Sequence, residues 1–224
     1  LISSAHDYQF DIGGCGSVSV SQDPLGAIGA GCGSTVWDAG LCISAFLGRQ
    51  GSLERLGTVV ELGAGTGIVG ISLAKLGAGR VICTDRPNCL PLLAHNVAMN
   101  ECTASISVLP LTWANADHIS QLKETISPYH IDMLICSDLF AWPDLYQALA
   151  DTIMSLSSER TRVLMAYEER DVEKEGDFFR LLNKRFAISE VEPSLMHPSY
   201  SAKDLHIFQA CFKPECIGST APAE

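Results

Sequence analysis

Residues 59–67 read VVELGAGTG, and this stretch decides the fold of the chain. It starts within a short apolar run, Thr58 to Leu62, of the kind that forms a buried parallel strand. Apolar side chains then recur at helical spacing from Ile68 to Leu76, which predicts a helix directly after the glycines. Glycines between the two elements permit positive φ angles and let the backbone approach a ligand without an intervening Cβ. We therefore predict a strand–turn–helix unit with a ligand at its turn.

A second acid completes the pattern of a nucleoside site. Residues 80–84, RVICT, predict the next strand, and Asp85 stands at its carboxyl end, as Glu61 does near the end of the first strand. In open α/β sheets, ligands bind at the carboxyl ends of strands, where an acid can accept hydrogen bonds from two ribose hydroxyls. The pattern predicts a pocket for a nucleoside-bearing cofactor. A strand-end cap at Asp85 and a turn without a ligand are the alternatives.

Two cofactors fit such a pocket. Residues 65–70, GTGIVG, also spell the dinucleotide pattern, although this hexapeptide alone is weak evidence. Glu61 ahead of the glycines, the tight alternation of Gly63, Gly65 and Gly67, and a long preceding segment favour S-adenosylmethionine over NAD. An NAD oxidoreductase remains the alternative.

The composition restricts the class of protein. A chain of 224 residues with 47% hydrophobic residues predicts one α/β domain with a substantial core. No apolar run approaches the ~18 residues of a membrane span, and the start of the chain lacks a signal pattern, so we expect no membrane association. A net charge of −11 repels nucleic-acid phosphates, so we expect no nucleic-acid partner. The acidity would attract a basic protein substrate, or it serves solubility alone.

The cysteines predict a reducing compartment. The chain has nine, an odd and dispersed set without paired CxxC spacing. This pattern argues against a disulfide framework and against a zinc site, so we expect no metal. We predict a cytoplasmic protein, with the nucleus as a further location.

Strands and helices alternate along the rest of the chain. Residues 8–12 and 17–20 predict a small hairpin ahead of the main fold. Repeated β–α units then lead to two closing strands at 186–191 and 205–212. This order predicts an α/β fold with a mainly parallel sheet and an antiparallel edge strand.

Further segments give the chain a family resemblance. These are TVWDAG at 35–40, NVAMN at 96–100, LTW at 111–113, SD at 137–138 and YEER at 167–170. With the glycine motif and Asp85, they resemble the seven-β-strand (class I) S-adenosylmethionine-dependent protein-lysine methyltransferases, the methyltransferase-like 21 type group. Members of this group modify elongation factors, AAA ATPases and heat-shock chaperones. The resemblance covers about residues 8–212.

The resemblance implies a fold and a division of the chain. The fold would be Rossmann-like, with a seven-stranded sheet, helices on both faces and a small N-terminal β-hairpin. We expect a hairpin and loop at 1–34 packed on the core, a class I methyltransferase domain at 35–213, and a disordered tail at 214–224. We expect a monomer that acts on a lysine-bearing protein.

The resemblance also implies which residues bind the cofactor. Trp37 would close over it, while Gly63, Ala64 and Gly65, with Gly67 completing the motif, would pass along its methionine part. Glu61 would support that loop or bind the ammonium, Asp85 would hold the ribose, and Trp113 would lie beside the adenine. For both tryptophans, burial in the core is the alternative role.

Ser137 and Asp138 would lie at the carboxyl end of the fourth strand, facing the transferred methyl group. A lysine must lose its proton before it attacks, which costs roughly 4.6 kcal/mol at pH 7 from a pKa of ~10.4. We assign Asp138 to docking the ammonium and relaying its proton through water; a solvated loop acid is the alternative. Arg170 would orient an acidic group of the substrate or form a surface ion pair.

One position departs from the family pattern. The family has an aromatic residue three positions after the acid, where this chain has Ala141. We hypothesise that Phe140 or Trp142 supplies the missing aromatic wall. A small-molecule or other-residue methyltransferase of the same fold, and a cofactor-binding interaction module without turnover, are therefore the alternative functions.

Overall fold

The structure is a computed structural model that describes residues 6–12, 16–23, 25, 30–51, 53, 56–201 and 204–213. The strands in these ranges are β1 (His6–Asp11), β2 (Ser17–Gln22), β3 (Thr58–Leu62), β4 (Arg80–Asp85), β5 (Ile106–Pro110), β6 (Met133–Ser137), β7 (Arg162–Glu168), β8 (Phe186–Glu190) and β9 (Leu205–Phe212). The helices are α1 (Asp38–Arg49), α2 (Ile68–Lys75), α3 (Leu90–Met99), α4 (Ala116–Ile126), α5 (Tyr146–Leu156) and α6 (Val172–Leu182). The predicted tail at 214–224 and parts of the predicted N-terminal segment lie outside the described residues.

Seven strands form one sheet in the order β5-β4-β3-β6-β7-β9-β8, which confirms the predicted α/β class. The central strand β3 pairs in parallel with β4 on one side and with β6 on the other. The chain therefore builds outwards from β3 to β5 first and returns to the centre to add β6 and β7. In open α/β sheets, ligands bind outside the carboxyl ends of the strands where the order reverses in this way.

The expected antiparallel strand is β9, and it lies one place in from the edge. It pairs antiparallel with β7 on one side and with β8 on the other. The edge strand β8 is antiparallel to its neighbour β9, but it runs in the same direction as β7 and the other parallel strands. In this sheet β9 is therefore the strand that runs in the opposite direction. The longer β9, with eight residues, has partners on both sides, and the five-residue β8 leaves fewer backbone groups unpaired at the edge.

Helices cover both faces of the sheet, as predicted. One face packs against α1, α2, α3 and the hairpin, in a core that includes Phe46, Ile71 and Val81. The other face packs against α4, α5 and α6, in a core that includes Leu134 and Phe178. In the ranges that the structure describes, no helix has the length and apolar character to cross a bilayer.

The predicted N-terminal hairpin is present and docks on the first of these cores. β1 and β2 pair antiparallel from His6 opposite Gln22 to Asp11 opposite Ser17. Side chains from both strands, Phe10, Val18 and Val20, are buried against the helices. The hairpin is thus part of the same hydrophobic core as α1 and α2.

Asn96 of α3 and Asn100, the C-cap residue of this helix, bind the outer edge of β2. Asn96 accepts from the backbone N–H of Ser21 at 2.8 Å and donates to its carbonyl at 3.0 Å. Asn100 forms the same pair of bonds with Ser19. Four residues of helix rise about 6 Å and two residues of strand about 6.8 Å, so this spacing lets one helix face match alternate strand positions. The NVAMN segment therefore attaches the hairpin to the main fold.

Candidate active site

A cavity of about 560 Å³ opens at the carboxyl ends of the central strands β3, β4 and β6. This volume lies within the ~300–1,000 Å³ of typical small-molecule sites. The lining comes from the segment before α1, the β3–α2 turn, the ends of β4 and β6, and the start of α5. It includes Trp37, Glu61, Gly63, Ala64, Gly65, Asp85, Trp113, Ser137, Asp138, Trp142 and Arg170.

The β3–α2 turn requires glycine at the cavity wall. Gly63 and Gly65 have φ angles of +61° and +54°, in the left-handed region. A Cβ on Gly63 would lie 2.6 Å from the side chain of Leu139, and one on Gly65 would lie 3.0 Å from the carbonyl oxygen of Gly33. The two glycines therefore serve both the conformation of the turn and the close approach of neighbouring segments.

Gly67 is not among the residues that line the cavity, although its neighbours Thr66 and Ile68 are. It is the N-cap residue of α2, and a Cβ there would lie 2.6 Å from the side chain of Leu93 in α3. The role of Gly67 in cofactor binding stays a prediction. Its place in the motif is explained by the turn into α2 and by helix packing.

Asp85 connects the end of β4 to the glycine turn. Its carboxylate accepts the N–H of Gly65 at 2.7 Å through Oδ2 and the N–H of Arg86 at 2.7 Å through Oδ1. The residue is 6% exposed and borders the cavity. The bond to Arg86 is the strand-end cap that we considered as the alternative. Each carboxylate oxygen keeps a further lone pair, so the side chain can also accept ribose hydroxyls.

Glu61 is buried beneath the turn and caps α2. Its Oε2 accepts the N–H of Gly70, in the first turn of α2, at 2.9 Å and the thiol of Cys83 at 3.5 Å. Because the N-cap residue Gly67 has no side chain, Glu61 supplies the oxygen that an N-cap residue would normally provide. Burial raises the pKa of Glu61 to about 8, against the lowering effect of these two hydrogen bonds.

A segment from residue 30 to residue 37 crosses one side of the cavity. Its contacts with the hairpin include the N–H of Asp23 donating to the carbonyl of Ser34 at 2.7 Å and the N–H of Val36 donating to the side chain of Gln22 at 3.1 Å. Trp37 ends this segment, 41% exposed, and its indole N–H donates to the carbonyl of Cys32 at 3.0 Å. Trp37 is therefore not a core aromatic but part of the cavity wall.

Trp113 fills both roles that we considered for it. The side chain is half-buried and packs against the core on the α4–α6 face, while it also lines the cavity. The buried Leu111 lies on the same wall. An aromatic and an aliphatic side chain together offer the apolar surface that an adenine ring needs.

Asp138 follows β6 in an unusual backbone conformation. Its φ is +55°, a left-handed value that is uncommon outside glycine, although Asp and Asn adopt it more readily than other residues. Its side chain is 6% exposed and receives two hydrogen bonds from the guanidinium of Arg170, at 2.7 and 2.9 Å. The predicted ion pair of Arg170 is thus present, but it lies at the cavity wall. The bond to Asp138 raises the pKa of Arg170.

Trp142, and not Phe140, stands beside Ala141 at the cavity. Trp142 is 39% exposed and lines the cavity with Ala141 and Leu145. Phe140 is 4% exposed and packs in the core among the rings of Tyr146, Tyr167, Phe178 and Phe179. Of the two residues in our hypothesis, Trp142 is therefore the one at the cavity wall, and Phe140 is in the core, because an apolar ring gains more from this aromatic cluster than from a wet cavity mouth.

The structure brings all the predicted site residues except Gly67 to one cavity. It also adds lining residues that the sequence reading missed, among them Cys32, Gly33, Arg86, Leu145 and Ala148. Gly33 lies in a glycine-rich stretch, which was a signal for close backbone approach. Leu145 and Ala148 carried no such signal, because apolar residues at the start of a helix are usually core.

The residues present fit a nucleoside cofactor with an amino-acid tail. The glycine turn lines the cavity with backbone at Gly63 and Gly65, Asp85 offers acceptors for hydroxyls, and Trp113 offers an apolar face. Ser137 and Asp138 line the cavity at the end of β6, which lies on the other side of β3 from β4 and Asp85. The cavity therefore has a part suited to a cofactor and a part suited to a second reactant.

Comparison with known proteins identifies the family. A family model described as lysine methyltransferase matches residues 24–185. The chain belongs to the lysine methyltransferase family. It is an S-adenosylmethionine-dependent methyltransferase, as the glycine turn and the two acids had indicated.

Named relatives of this lysine methyltransferase span most of its length. "Protein N-lysine methyltransferase METTL21A" of Mus musculus is 34% identical over 80% of this chain and 78% of that protein. "EEF1A lysine methyltransferase 3" of Xenopus tropicalis is 30% identical over 72% of this chain and 69% of that protein.

Solved structures agree on the fold of this lysine methyltransferase. An O-methyltransferase from Bacillus cereus in complex with SAH matches with a TM-score of 0.57 at 15% identity, covering 84% of this chain and 86% of that chain. Another methyltransferase complexed with SAH matches 87% of this chain but only 53% of its own length, with a TM-score of 0.58 at 14% identity.

Proposed function

We propose that this enzyme methylates a lysine side chain of a protein and that the two reactants meet beside Asp138. The observation that carries the proposal is the convergence of the lining residues. Asp85 and Trp113 border the part of the cavity beside β4, while Asp138, Trp37 and Trp142 border the part that a second reactant would enter. One cavity thus offers a site for a nucleoside donor and an apolar approach for an acceptor.

Asp85, Gly63, Gly65 and Trp113 are the residues that would hold S-adenosylmethionine. Asp85 would accept the ribose hydroxyls, the turn would follow the methionine part, and Trp113 would contact the adenine. When bound, the cofactor supplies an electrophilic methyl group. Little acid–base chemistry is then required of the protein beyond presenting a neutral amine in line with that group.

The walls near Asp138 can orient an amine and exclude water. Trp37 and Trp142 present exposed apolar surface at the cavity, and Leu145 adds to it with 44% exposure. The aliphatic stem of a lysine would pack against such surface as it enters. Removal of water from the amine also favours its uncharged form, which is the form that attacks. The oxygens of Asp138 would receive the lysine nitrogen.

A folded protein is the acceptor class that best fits this surface. Large apolar side chains exposed around a cavity mark a surface for a partner. The net charge of −11 would attract a basic segment around the target lysine. The name of one relative states EEF1A as its substrate, and we propose elongation factor 1A as the first candidate to test. A chaperone and an ATPase are the further candidates.

We also propose that the enzyme works as a monomer in the cytoplasm and in the nucleus. Seven cysteines in the described part of the chain are free thiols, which supports a reducing compartment. Light scattering of the purified chain and microscopy of a tagged copy in cells test these two points. A stable dimer or a secreted product would contradict them.

Methyl transfer from labelled cofactor tests the proposed function. The full chain is incubated with methyl-labelled S-adenosylmethionine and either purified elongation factor 1A or a fractionated cell lysate. We expect label in a protein fraction, recovered as methyl-lysine after hydrolysis, and much less label with Asp85→Asn when the cofactor concentration is close to the wild-type Kd. Label in a small-molecule fraction or on another side chain would support a different acceptor. Binding of cofactor without any label would support an interaction module.

A further inference from the structure

Three charged side chains form a cluster at the acceptor end of the cavity. Arg170 donates to both oxygens of Asp138, at 2.7 and 2.9 Å, and to Oε2 of Glu168 at 2.9 Å. The two bonds to Asp138 have the forked geometry in which a guanidinium binds a carboxylate most strongly. Asp138 and Arg170 both line the cavity, so an acceptor amine that reaches Asp138 also meets Arg170.

The charges around Arg170 come from three elements. β6 is followed by Asp138, β7 ends with Glu168, and α6 contributes Glu175, which is 3% exposed. Glu175 accepts the backbone N–H groups of Arg170, at 2.9 Å, and of Asp171, at 3.2 Å. The segment before α1 contributes the ring of Trp37, whose centroid lies 5.8 Å from the guanidinium carbon. The guanidinium is thus held from several sides.

The ion pair with Arg170 changes the effect of Asp138 on the protonation of a substrate lysine. A free carboxylate would stabilise an ammonium and so oppose the loss of its proton. Arg170 offsets part of the charge of Asp138, even though Glu168 and Glu175 leave more acids than cations in the cluster. The guanidinium therefore makes this site less favourable to a second cation than the carboxylates alone would. The carboxylate oxygens still have lone pairs that can accept an N–H from a neutral amine.

We propose that Arg170 is a positioning residue that offsets the charge of Asp138, so that Asp138 receives the substrate lysine as a neutral amine. This inference rests on the proposed function. The proton of the lysine leaves to solvent water at the cavity mouth. The nitrogen lone pair then forms the new N–C bond as the C–S bond of the donor breaks, and that electron pair stays on sulfur. The role initially assigned to Asp138, docking of an ammonium, is thereby replaced.

Two substitutions should move the pH dependence in opposite directions. Arg170→Gln removes the cation, so the bound lysine should hold its proton up to a higher pH. Glu168→Gln removes an anion from the same cluster and leaves the bonds between Arg170 and Asp138, so the lysine should lose its proton at a lower pH. Arg170→Lys keeps the positive charge without the fork and should stay close to the wild-type profile.

The test is the pH profile of kcat and of kcat/KM, measured with labelled S-adenosylmethionine and the protein that the wild-type chain labels. For Arg170→Gln we expect a rise in the apparent pKa of kcat by on the order of one unit, with activity recovering towards wild type above pH ~9. At neutral pH kcat should fall about tenfold, while KM for the protein stays the same or falls because Asp138 now binds the ammonium. Cofactor affinity and the thermal midpoint of unfolding serve as checks of folding.

The possible outcomes separate this inference from the function on which it rests. The pH profiles of kcat for wild type, Arg170→Gln and Glu168→Gln could be parallel and differ only by a constant factor. In that case Arg170 has only a structural role, and the inference is overturned. If wild type labels no protein at any pH, the proposed function fails first and this inference fails with it. Opposite shifts of the two variants support it, because loss of structure does not shift a profile in both directions.

Discussion

The side-chain amide of Asn96 donates a hydrogen bond to the carbonyl oxygen of Thr66 at 2.9 Å. Thr66 belongs to the glycine turn and lines the cofactor cavity. Because Asn96 also pairs with both backbone groups of Ser21, one fully buried side chain connects the N-terminal hairpin to the turn. Asn100 contacts the hairpin in the same way, but its hydrogen bonds do not reach the turn.

Asn96→Ala should weaken cofactor binding more than Asn100→Ala does. Loss of Asn96 leaves three buried backbone groups without partners, which we expect to cost about 2–4 kcal/mol of stability, against about 1 kcal/mol for Asn100. Calorimetry should give a Kd for S-adenosylmethionine that rises about tenfold in Asn96→Ala and less than about threefold in Asn100→Ala. Equal losses of affinity in the two variants would mean that the hairpin, and not the contact with Thr66, sets the affinity.

Glu61 should make the stability of the cofactor-free enzyme depend on pH. Its pKa rises from 4.5 to about 8 on folding, so the folded state holds a proton that the unfolded state releases. The stabilisation of the folded state by this extra proton is fully present below pH 4.5 and is lost as the pH rises through about 8. The free energy of unfolding should therefore fall by up to about 1.4 kcal/mol per pH unit inside that window.

Glu61→Gln provides the control for this dependence. The amide carbonyl can still accept the N–H of Gly70, but the side chain no longer titrates. Urea unfolding at several pH values should show the stability of wild type falling relative to this variant between about pH 4.5 and 8. Parallel curves would show that Glu61 does not carry the proton.

Asp85→Asn should reduce cofactor affinity, and Asp132→Asn should not. Both acids accept a backbone N–H at 2.7 Å, Asp85 from Gly65 and Asp132 from Thr58. Asp132 pairs at the start of β3, at the opposite end of the sheet from the cavity. We expect the Kd for S-adenosylmethionine to rise about 10–100-fold in Asp85→Asn, which corresponds to the loss of hydrogen bonds to a charged acceptor. A similar loss in Asp132→Asn would point to general destabilisation.

Gly65→Ala should cost both stability and cofactor affinity. Gly51 has a φ of +81°, and a Cβ there would have no atom within 4 Å, so Gly51→Ala reports the backbone strain alone, about 1–2 kcal/mol. Gly65→Ala adds the same backbone strain, and its Cβ would also lie 3.0 Å from the carbonyl oxygen of Gly33, which is a steric conflict. Thermal unfolding and calorimetry should show a larger loss at Gly65, with cofactor binding affected only there. Unchanged affinity in Gly65→Ala would contradict this account of the turn.

Trp142→Ala should weaken the binding of the protein substrate and leave that of the cofactor unaffected. The ring lines the cavity beside Ala141, whereas Tyr129 is 67% exposed and is not among the cavity-lining residues. We expect KM for the protein substrate to rise about tenfold, the order of a lost aromatic contact at an interface, with Tyr129→Ala as the neutral control. An unchanged KM in Trp142→Ala would show that the substrate enters past another part of the cavity wall.

Much of the fold could be predicted because it depends on local patterns. The glycine turn, the apolar strands and the hairpin are each specified by residues close together in the chain. α4 is harder to predict, because its sequence, ADHISQLKETI, is mostly polar and buries only Leu122 and Ile126. The position of β9 was also beyond reach, because either closing strand could have taken the edge.

The site was predictable where its residues follow strands and turns. Asp85 and Asp138 end strands that must meet at one edge of the sheet, so their position followed from the strand order. The bonds from Arg170 to Asp138 and from Asn96 to Thr66 join residues about thirty positions apart, and no local pattern specifies them. The sequence could not choose between Phe140 and Trp142, because the burial of Phe140 depends on rings from β7, α5 and α6.

The hydrogen bonds from Asn96 and Asn100 to β2 also bear on contacts between copies of the chain. A two-stranded hairpin normally presents a free row of N–H and C=O groups on each side, and a neighbouring molecule can add a strand there. On β2 the groups of Ser19 and Ser21 that face away from β1 are already bound by side chains. The two amides therefore keep these backbone groups of β2 from pairing with a strand of another molecule, and they also attach the hairpin to the main fold.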